Sequence, residues 1–420
     1  MHYLHGKNIS LYRNVSSLFD QALSRDSSLQ FRLFSTLMKN SSINKKNKKN
    51  ERMTCSEATT LDGRWELPIQ IHHPTSSLAS NSPIILICGW AGVGSVDWGA
   101  IPKILAAKTN RNVLTYDARG LGNATLLSPL DSGLESLSLE IMASDTLDII
   151  DSYYNAYLGT SAKDNIGCKR EFCVGGASMG GMVAQVLAHS LHGSQHTGMR
   201  LNAAWTTRKQ IYSISSLGLI SSAPVRKYNN TGSYPMIDCS IPHNHFLASF
   251  DGFHRNEDQI TCTKRFFEAL GDAFLSRPGR TKMRDKLISS FLSTRAGFKN
   301  GMSLEWIFAQ RNVLMQESHG LWYPNLDHIP AVVNFDDEPL HLSALNIPSI
   351  ILHGKDDRVI PVHHAKKLHH VMNSTQNFSP IRTKTLRVNS ELALIEDCDH
   401  LCWITNGHDL TNALGKFWSR

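Results

Sequence analysis

The sequence predicts an α/β protein built on a doubly wound, mostly parallel β-sheet, with a mainly helical insertion. Three observations support this fold class: continuous apolar runs of strand length alternate with helix-period segments, glycine-containing turns follow several runs, and the alternation stops over one long stretch. Continuous apolar runs are typical of strands buried on both faces, as in a parallel sheet covered by helices. Because such sheets carry their chemistry at the carboxyl ends of strands, we expect functional residues in the turns that follow the runs.

The first predicted element differs from the rest, because residues 61–73 alternate only partly between apolar and polar side chains. Pro68 lies within this segment and cannot donate a hydrogen bond to a central sheet ladder, so we predict an antiparallel hairpin at the sheet edge. The other elements follow in chain order, with a polar insertion at about 192–210. Strands are expected at 83–88, 112–117, before Ser178, and at 212–222, 347–353 and 392–396, and helices around 98–106, 136–154, after Ser178, and at 362–373 and 403–418.

Changes in composition divide the chain into four predicted parts. Residues 1–55 are expected to form a basic, disordered segment, and residues 56–224 and 347–420 the two parts of an α/β core. Residues 225–346 are expected to form the helical insertion, which is dense in aromatic residues. Two interpretations of these aromatics stay open: packing between small helices, and lining of a substrate pocket.

The positive charge of the protein is concentrated near its N-terminus. The formal net charge is +7, and the first 60 residues hold ten Lys or Arg against four acidic residues. The remaining body is close to neutral, so we expect no nucleic-acid partner. Residues 9–39 are rich in serine with spaced arginines, as in a mitochondrial or plastid transit peptide. Residues 40–52 are typical of a solvated linker, and a nuclear-localisation signal is the alternative interpretation of their lysines.

Cysteine usage and hydropathy favour an intracellular protein, cytoplasmic unless the N-terminal segment directs it to an organelle. The eight cysteines include no C-x-x-C pair, which fits a reducing compartment better than a disulfide framework. The first 55 residues lack the apolar core of a secretory signal, and no run of 18 apolar residues predicts a membrane span. Cys398 and Cys402 bracket His400, but a second ligand pair is missing, so we predict no metal and no cofactor.

One serine lies in a segment that is typical of a nucleophile. Gly176, Ser178 and Gly180 satisfy the G-x-S-x-G pattern between an apolar strand and a helix-period apolar segment. In such a strand–turn–helix, small residues let the strand and helix approach while the serine takes a strained backbone conformation that exposes its hydroxyl. A chance match has a probability of roughly 0.1 to 0.2 in a chain of this length, so an ordinary turn is the alternative. The flanking strand and helix favour the nucleophile.

Two further segments follow predicted strands late in the chain: Gly354-Lys-Asp-Asp-Arg-Val-Ile-Pro361 and Asp399-His400. Together with the Ser178 turn, they resemble the α/β-hydrolase superfamily, in which nucleophile, acid and histidine occur in this order. The likeness covers about residues 60–420. Within the superfamily, Ser-Met-Gly-Gly-Met-Val-Ala-Gln and Tyr-Asp-Ala-Arg-Gly are most similar to the capped esterases, enol-lactonases and carbon–carbon bond hydrolases.

The resemblance implies an α/β-hydrolase fold with residues 225–346 as a cap, and it assigns a catalytic triad. Ser178 is the expected nucleophile, His400 the base that accepts its proton, and Asp357 the carboxylate that orients the imidazole. Asp357 has the family's spacing from glycine to acid to proline, and Asp356 is the alternative acid. Other histidines near the acid are placed less well for the role of base: His353, His363, His364, His369 and His370.

The resemblance also assigns an oxyanion hole, formed by the backbone amides of Trp90 and Met179. Trp90 belongs to the glycine-containing turn after the strand predicted at 83–88. Many relatives carry histidine where this chain has Cys88. This difference changes the side chain next to the Trp90 turn, but the proposed donor is a main-chain amide and is retained. We expect residues 117–122, after the next strand, to have a structural role.

The predicted function is a serine hydrolase that cleaves a carboxylic ester, thioester or lactone of a small molecule through an acyl-enzyme intermediate. Two alternatives stay open: acyl transfer to an alcohol or thiol instead of water, and a non-catalytic protein that holds a ligand in the capped pocket. Serine as nucleophile argues against epoxide hydrolases and haloalkane dehalogenases, which use a carboxylate at this position. The sequence predicts no particular oligomeric state.

Overall fold

A computed structural model describes residues 53–76, 80–89, 92–127, 135–136, 138–157, 169–192, 203–224, 326–327, 342, 345, 347–357, 360–373 and 390–420. Of the predicted N-terminal segment, only residues 53–55 lie among them. Of the predicted helical cap, only residues 326–327, 342 and 345 do. The transit peptide, the linker and the cap therefore stay predictions.

A nine-stranded, mostly parallel β-sheet forms the centre of the described part of the chain. Its strands are β1 (Met53–Thr59), β2 (Trp65–His72), β3 (Ser80–Ile87), β4 (Arg111–Tyr116), β5 (Thr125–Leu126), β7 (Arg170–Ala177), β8 (Tyr212–Ile220), β10 (Ser349–Gly354) and β11 (Ser390–Ile395). A separate parallel pair consists of β6 (Glu135–Ser136) and β9 (Leu326–Asp327). The order in the large sheet is β1-β2-β4-β3-β7-β8-β10-β11, and β5 pairs with β2.

Parallel pairing extends from β4 through β3, β7, β8 and β10 to β11. These strands are the apolar runs of the sequence, and every residue of β10 is buried. Because parallel strands point the same way, the turns that follow β3, β7, β10 and β11 lie at one edge of the sheet. The doubly wound α/β fold predicted from the alternation is confirmed.

Helices cover both faces of this sheet. They are α1 (Gly94–Asp97), α2 (Ile101–Thr109), α3 (Leu139–Tyr157), α4 (Met179–His192), α5 (Ala203–Ile211), α6 (His363–Asn373), α7 (Cys402–Thr405) and α8 (Gly407–Trp418). One buried cluster joins the sheet to α3, α4, α5 and α6, and a second joins it to α2, α7 and α8. Successive residues of β3 enter different clusters, Ile85 the first and Leu86 the second. None of the described helices is long and apolar enough to cross a membrane.

The predicted antiparallel pair at the sheet edge is present as β1 and β2, but the expectation that Pro68 keeps its own strand out of the interior of the sheet is wrong. β1 pairs with one side of β2, and β4 and β5 pair with the other, so β2 is an inner strand. The Pro68 carbonyl accepts a hydrogen bond from the Asp117 amide at 3.3 Å, so the missing N–H of Pro68 points to the same side. On that side, pairing with β5 ends at Glu66 and pairing with β4 begins at Ile69. The proline therefore lies at the end of a ladder, where an inner strand tolerates it.

Candidate active site

Ser178 lies in the tight turn between β7 and α4, at the carboxyl end of a central strand. Its φ is +53°, in the left-handed region that a non-glycine residue adopts where the surrounding structure enforces it. The Ser178 amide donates to the Ile220 carbonyl of β8 at 2.8 Å, and the Gly181 amide donates to the Ser178 carbonyl at 3.0 Å. These bonds fix the turn between β8 and the start of α4.

The glycines of the pattern allow backbone segments to approach each other around Ser178. A Cβ atom at Gly176 would overlap the carbonyl oxygen of Gly180. A Cβ atom at Gly180 would overlap the carbonyl oxygen of Ile87, at the end of β3. The G-x-S-x-G pattern therefore corresponds to a turn in which β3, β7 and α4 approach closely, with no room for a side chain at Gly176 or Gly180.

His400 lies in the turn between β11 and α7, and its side chain reaches Ser178. The Nε2 atom of His400 is 3.0 Å from the Ser178 Oγ atom, within hydrogen-bond distance. The ring is buried and packs edge to face against Trp403, with ring centroids 5.8 Å apart. Because an imidazole can accept a hydroxyl proton at this distance, the two residues have the geometry of a nucleophile and its base.

Asp357 follows β10 and extends the chain of hydrogen bonds. Its Oδ2 atom accepts from Nδ1 of His400 at 2.9 Å, and its Oδ1 atom accepts from the Ile360 amide at 2.8 Å. Burial by itself raises the pKa of this carboxyl, but the charge of His400 and hydrogen bonds from His353 and His400 outweigh burial and hold the pKa well below its usual range. Asp357 is therefore ionised at neutral pH.

The structure distinguishes between the two candidate acids, Asp357 and Asp356. Asp356 is exposed, and its amide donates to the Cys398 carbonyl at 2.9 Å. Among the described residues, Asp357 and not Asp356 provides the carboxylate at the His400 ring. The alternative assignment to Asp356 thus has no support from the geometry.

His353 has a contact that the sequence did not predict. Its Nε2 atom is 3.1 Å from Oδ2 of Asp357, on the same turn. The sequence suggested this ring only as a less well placed base for Ser178. Its position four residues before the acid, at the end of a buried strand, is the signal that could have indicated a contact with the acid instead.

Of the two predicted oxyanion donors, the structure describes Met179 but not Trp90. Met179 is the first residue of α4, and the first amides of a helix have no partner within it and attract anions. Trp90 lies outside the described residues. Its neighbour Gly89 is described, and a Cβ atom there would lie 3.1 Å from Cβ of Ser178, so the turn after β3 lies against the serine.

The cysteines that bracket His400 in sequence are buried beside it. Cys402 Sγ is 3.3 Å from Ser221 Oγ, and the hydrogen bond with Cys402, together with burial, raises the pKa of the Cys398 thiol. A thiol held in its protonated form is a poor metal ligand. Across the described ranges, no group of three or more His, Cys, Asp or Glu residues is arranged to hold a metal ion.

Comparison with known proteins assigns this chain to a family. The model of the Alpha/beta hydrolase family matches residues 84–413, well over half of the chain. This protein belongs to the alpha/beta hydrolase family. The resemblance inferred from the Ser178 turn, the acid loop and the late histidine is therefore confirmed at the level of the family. No curated protein sequence gives a significant match.

Solved structures of other alpha/beta hydrolases match at low sequence identity. A bromoperoxidase from Bacillus anthracis has a TM-score of 0.52 and 18% identity, over 87% of this chain and 100% of its own. A hydrolase from Pseudomonas aeruginosa PA01 has a TM-score of 0.49 and 18% identity, over 89% of this chain and 100% of its own. The enol-lactonase from Burkholderia xenovorans LB400 has a TM-score of 0.45 and 15% identity, over 87% of this chain and 100% of its own. The bromoperoxidase match shows a shared fold.

Proposed function

We propose that this alpha/beta hydrolase is a serine hydrolase that cleaves a carboxylic ester, thioester or lactone of a small molecule through an acyl-enzyme intermediate. The observation that carries the proposal is the chain of contacts from Ser178 Oγ to His400 Nε2 at 3.0 Å and from His400 Nδ1 to Asp357 Oδ2 at 2.9 Å. Serine, histidine and carboxylate in this arrangement perform acyl transfer on several unrelated folds.

In the first half of the proposed reaction, the Ser178 Oγ atom attacks the carbonyl carbon of the substrate. His400 takes the hydroxyl proton on Nε2 as the new bond forms, and Asp357 stabilises the charged ring through Nδ1. The tetrahedral intermediate then breaks its bond to the leaving oxygen or sulfur, which receives the same proton from His400. An ester or thioester releases this group as an alcohol or thiol, and a lactone keeps it as a hydroxyl group on the acyl chain. The acyl group remains on Ser178 as an ester.

The negative charge that develops on the substrate oxygen requires hydrogen-bond donors next to Ser178. The proposed donors are the backbone amides of Met179 and Trp90, which would form an oxyanion hole. The start of α4 supports the first donor, because helix N-termini favour anions. The contact between the Gly89 turn and Ser178 supports the second.

In the second half, a water molecule attacks the acyl ester and gives a proton to His400. The second tetrahedral intermediate releases Ser178, which regains the proton, and the carboxylic acid departs. Acyl transfer to an alcohol or thiol follows the same steps with another acceptor. Product analysis in the presence of competing alcohols and thiols therefore separates hydrolysis from transfer, and esters, thioesters and lactones of graded acyl length identify the substrate.

A fluorophosphonate probe tests the nucleophile without knowledge of the substrate. We expect the wild-type protein to be labelled, Ser178→Ala to be unlabelled, and His400→Gln to react at least about a thousandfold more slowly, because the hydroxyl loses its base. Ser152→Ala is the matched control, since the Ser152 hydroxyl donates to the Glu57 carbonyl of the edge strand β1 at 3.0 Å. A folded wild type that resists the probe contradicts the serine mechanism and favours the non-catalytic alternative. Labelling that persists without Ser178 contradicts the assignment of Ser178 as the nucleophile.

A further inference from the structure

Asp357 has a second histidine beside it. His353 lies in β10 and is completely buried, and its Nε2 atom is 3.1 Å from Asp357 Oδ2 and 2.6 Å from the Ile360 carbonyl oxygen. Oδ2 is the same oxygen that lies 2.9 Å from Nδ1 of His400. One carboxylate oxygen is therefore within hydrogen-bond distance of two imidazole rings.

The partners of His353 determine its protonation. Both groups near Nε2 are acceptors, a backbone carbonyl and a carboxylate, so Nε2 must carry the hydrogen. The Nδ1 atom of His353 is buried without a hydrogen-bond partner in the described part of the chain. A hydrogen on Nδ1 would be left unsatisfied, which is unfavourable in an interior. His353 therefore shares one Nε2–H between Ile360 and Asp357.

We propose that His353 is a positioning residue: its Nε2–H holds the Asp357 carboxylate in the orientation that His400 requires and ties the acid turn to β10. This inference rests on the proposed function, because it takes Asp357 to be the group that orients the catalytic imidazole. The donor also withdraws charge from Oδ2, which weakens the attraction between Asp357 and a protonated His400. Loss of this donor would therefore strengthen that attraction and move the acidic limb of the rate profile to higher pH.

One histidine of α6 acts on both His353 and Asp357. His364 is close enough to His353 and Asp357 to act on them electrostatically. Burial, followed by the neighbouring His363, lowers the pKa of His364 to about 3, so its ring is neutral in an assay near neutral pH. A change in the pH dependence of activity is therefore not expected to come from His364.

The ionisable groups next to His400 on its other sides are also held in place. Asp399 accepts from the Leu401 amide at 3.0 Å through Oδ1. The thiol of Cys398 has its pKa raised by the hydrogen bond with Cys402 and by burial. That thiol therefore stays protonated at neutral pH.

Kinetics of three variants test the proposal. His353→Phe keeps a ring of similar size and removes the donor, and His353→Gln places an amide N–H near the position of Nε2. His369→Phe is the matched control, because His369 contacts the Ser390 carbonyl at 3.0 Å and Asn373 at 2.9 Å instead of the acid. Hydrolysis of the best ester substrate is measured from about pH 5 to about pH 9, where histidines titrate.

We expect His353→Phe to lower kcat by about tenfold to a hundredfold, the effect of losing a hydrogen bond to a charged group, with little change in KM. The acidic limb of its profile should move to higher pH. His353→Gln should return to within about threefold of wild-type kcat, and His369→Phe should match the wild type. Wild-type kcat and pH profile in His353→Phe would overturn the proposal. Absence of Ser178-dependent hydrolysis in the wild type would instead reject the proposed function.

Histidine-selective nitrogen NMR of the wild-type protein tests the contact if the Phe variant fails to fold. The His353 signals, identified by their absence from His353→Gln, should show hydrogen on Nε2 at neutral pH. This result does not depend on catalysis. A ring with hydrogen on Nδ1 and none on Nε2 overturns the proposal.

Discussion

At the scale of the residue, Asp357 shows how a buried carboxylate stays ionised. Its side chain is completely buried, a setting that favours the neutral form. Three donors from different elements oppose this: the His400 ring, the His353 ring and the Ile360 amide. The pKa of the carboxyl falls well below its usual range because these interactions outweigh burial. An ionised acid next to His400 is what a positively charged imidazole intermediate requires.

This depressed pKa predicts how Asp357 affects stability at acidic pH. The folded-state pKa is below the ordinary value of 3.8, so the stability that the ionised group contributes is present above the unfolded pKa and is lost as pH falls through the folded pKa. In urea unfolding between about pH 5 and about pH 3, the free energy of unfolding of Asp357→Asn should fall less steeply than that of the wild type, by up to about 1.4 kcal/mol per pH unit. Asp356→Asn, at an exposed position of the same turn, should keep the wild-type slope. Equal slopes for all three proteins would show that Asp357 is not held ionised by its partners.

The site residues were predictable from the sequence where their order along the chain and their spacing from neighbouring glycines and prolines indicated them. Ser178, Asp357 and His400 each follow a strand, and the sheet brings those strand ends together. The contact of His353 with the acid was not predictable in this way, because it depends on the conformation of a turn that folds back on its own strand. Trp90 lies outside the described residues, so its role stays a prediction.

At the scale of the element, the strand–turn–helix around Ser178 depends on backbone contact across three elements. α4 begins directly after the serine, and a Cβ atom at Gly180 would overlap carbonyl oxygens of Ile87 and Cys88. The glycine therefore sets the distance between α4 and the end of β3.

The substitution Gly180→Ala is expected to move the start of α4 away from β3. Overpacking of this kind costs about 1–3 kcal/mol in the free energy of unfolding, measurable by chemical denaturation. Probe labelling of the folded fraction should fall as well, because the serine and the helix amides shift together. Gly407→Ala is the matched control, since its Cβ atom would lie 3.7 Å from Ile101, an ordinary contact. A Gly180→Ala protein with wild-type stability and labelling would contradict the close approach described for this turn.

Strand positions were predictable where continuous apolar runs indicate buried strands. They were less predictable where a single residue, such as Pro68, determined the interpretation of a segment. The buried runs that became β3, β4, β8 and β10 lie close to their predicted positions. Pro68 led to the wrong position for β2, because a missing donor matters only where a partner strand lies opposite it. The helix α5 lies within and just after the stretch predicted as a polar insertion, since few of its residues are apolar.

At the scale of the whole molecule, parallel order brings distant parts of the chain to one edge of the sheet. Ser178 and His400 are separated by 222 residues and lie within hydrogen-bond distance. Connections between parallel strands are right-handed, so few sheet arrangements are compatible with a given order of strands. The order of the strands along the chain therefore indicated which turns form the site. The sequence of residues 225–346 has no such repeating pattern, so the predicted insertion could be given neither a detailed structure nor a substrate preference.

The N-terminal segment provides a prediction for the whole molecule. The boundary between the two units of the chain lies between Arg52 and Met53, where β1 begins. If residues 1–52 act in targeting and as a linker, a protein that starts at Met53 should keep the wild-type labelling rate and thermal midpoint. β1 carries seven register pairs with β2, so a protein that starts at residue 61 should lose about 5 °C or more in the midpoint, because β2 would become an unprotected edge. A large loss already in the protein that starts at Met53 would mean that the first 52 residues stabilise the hydrolase fold.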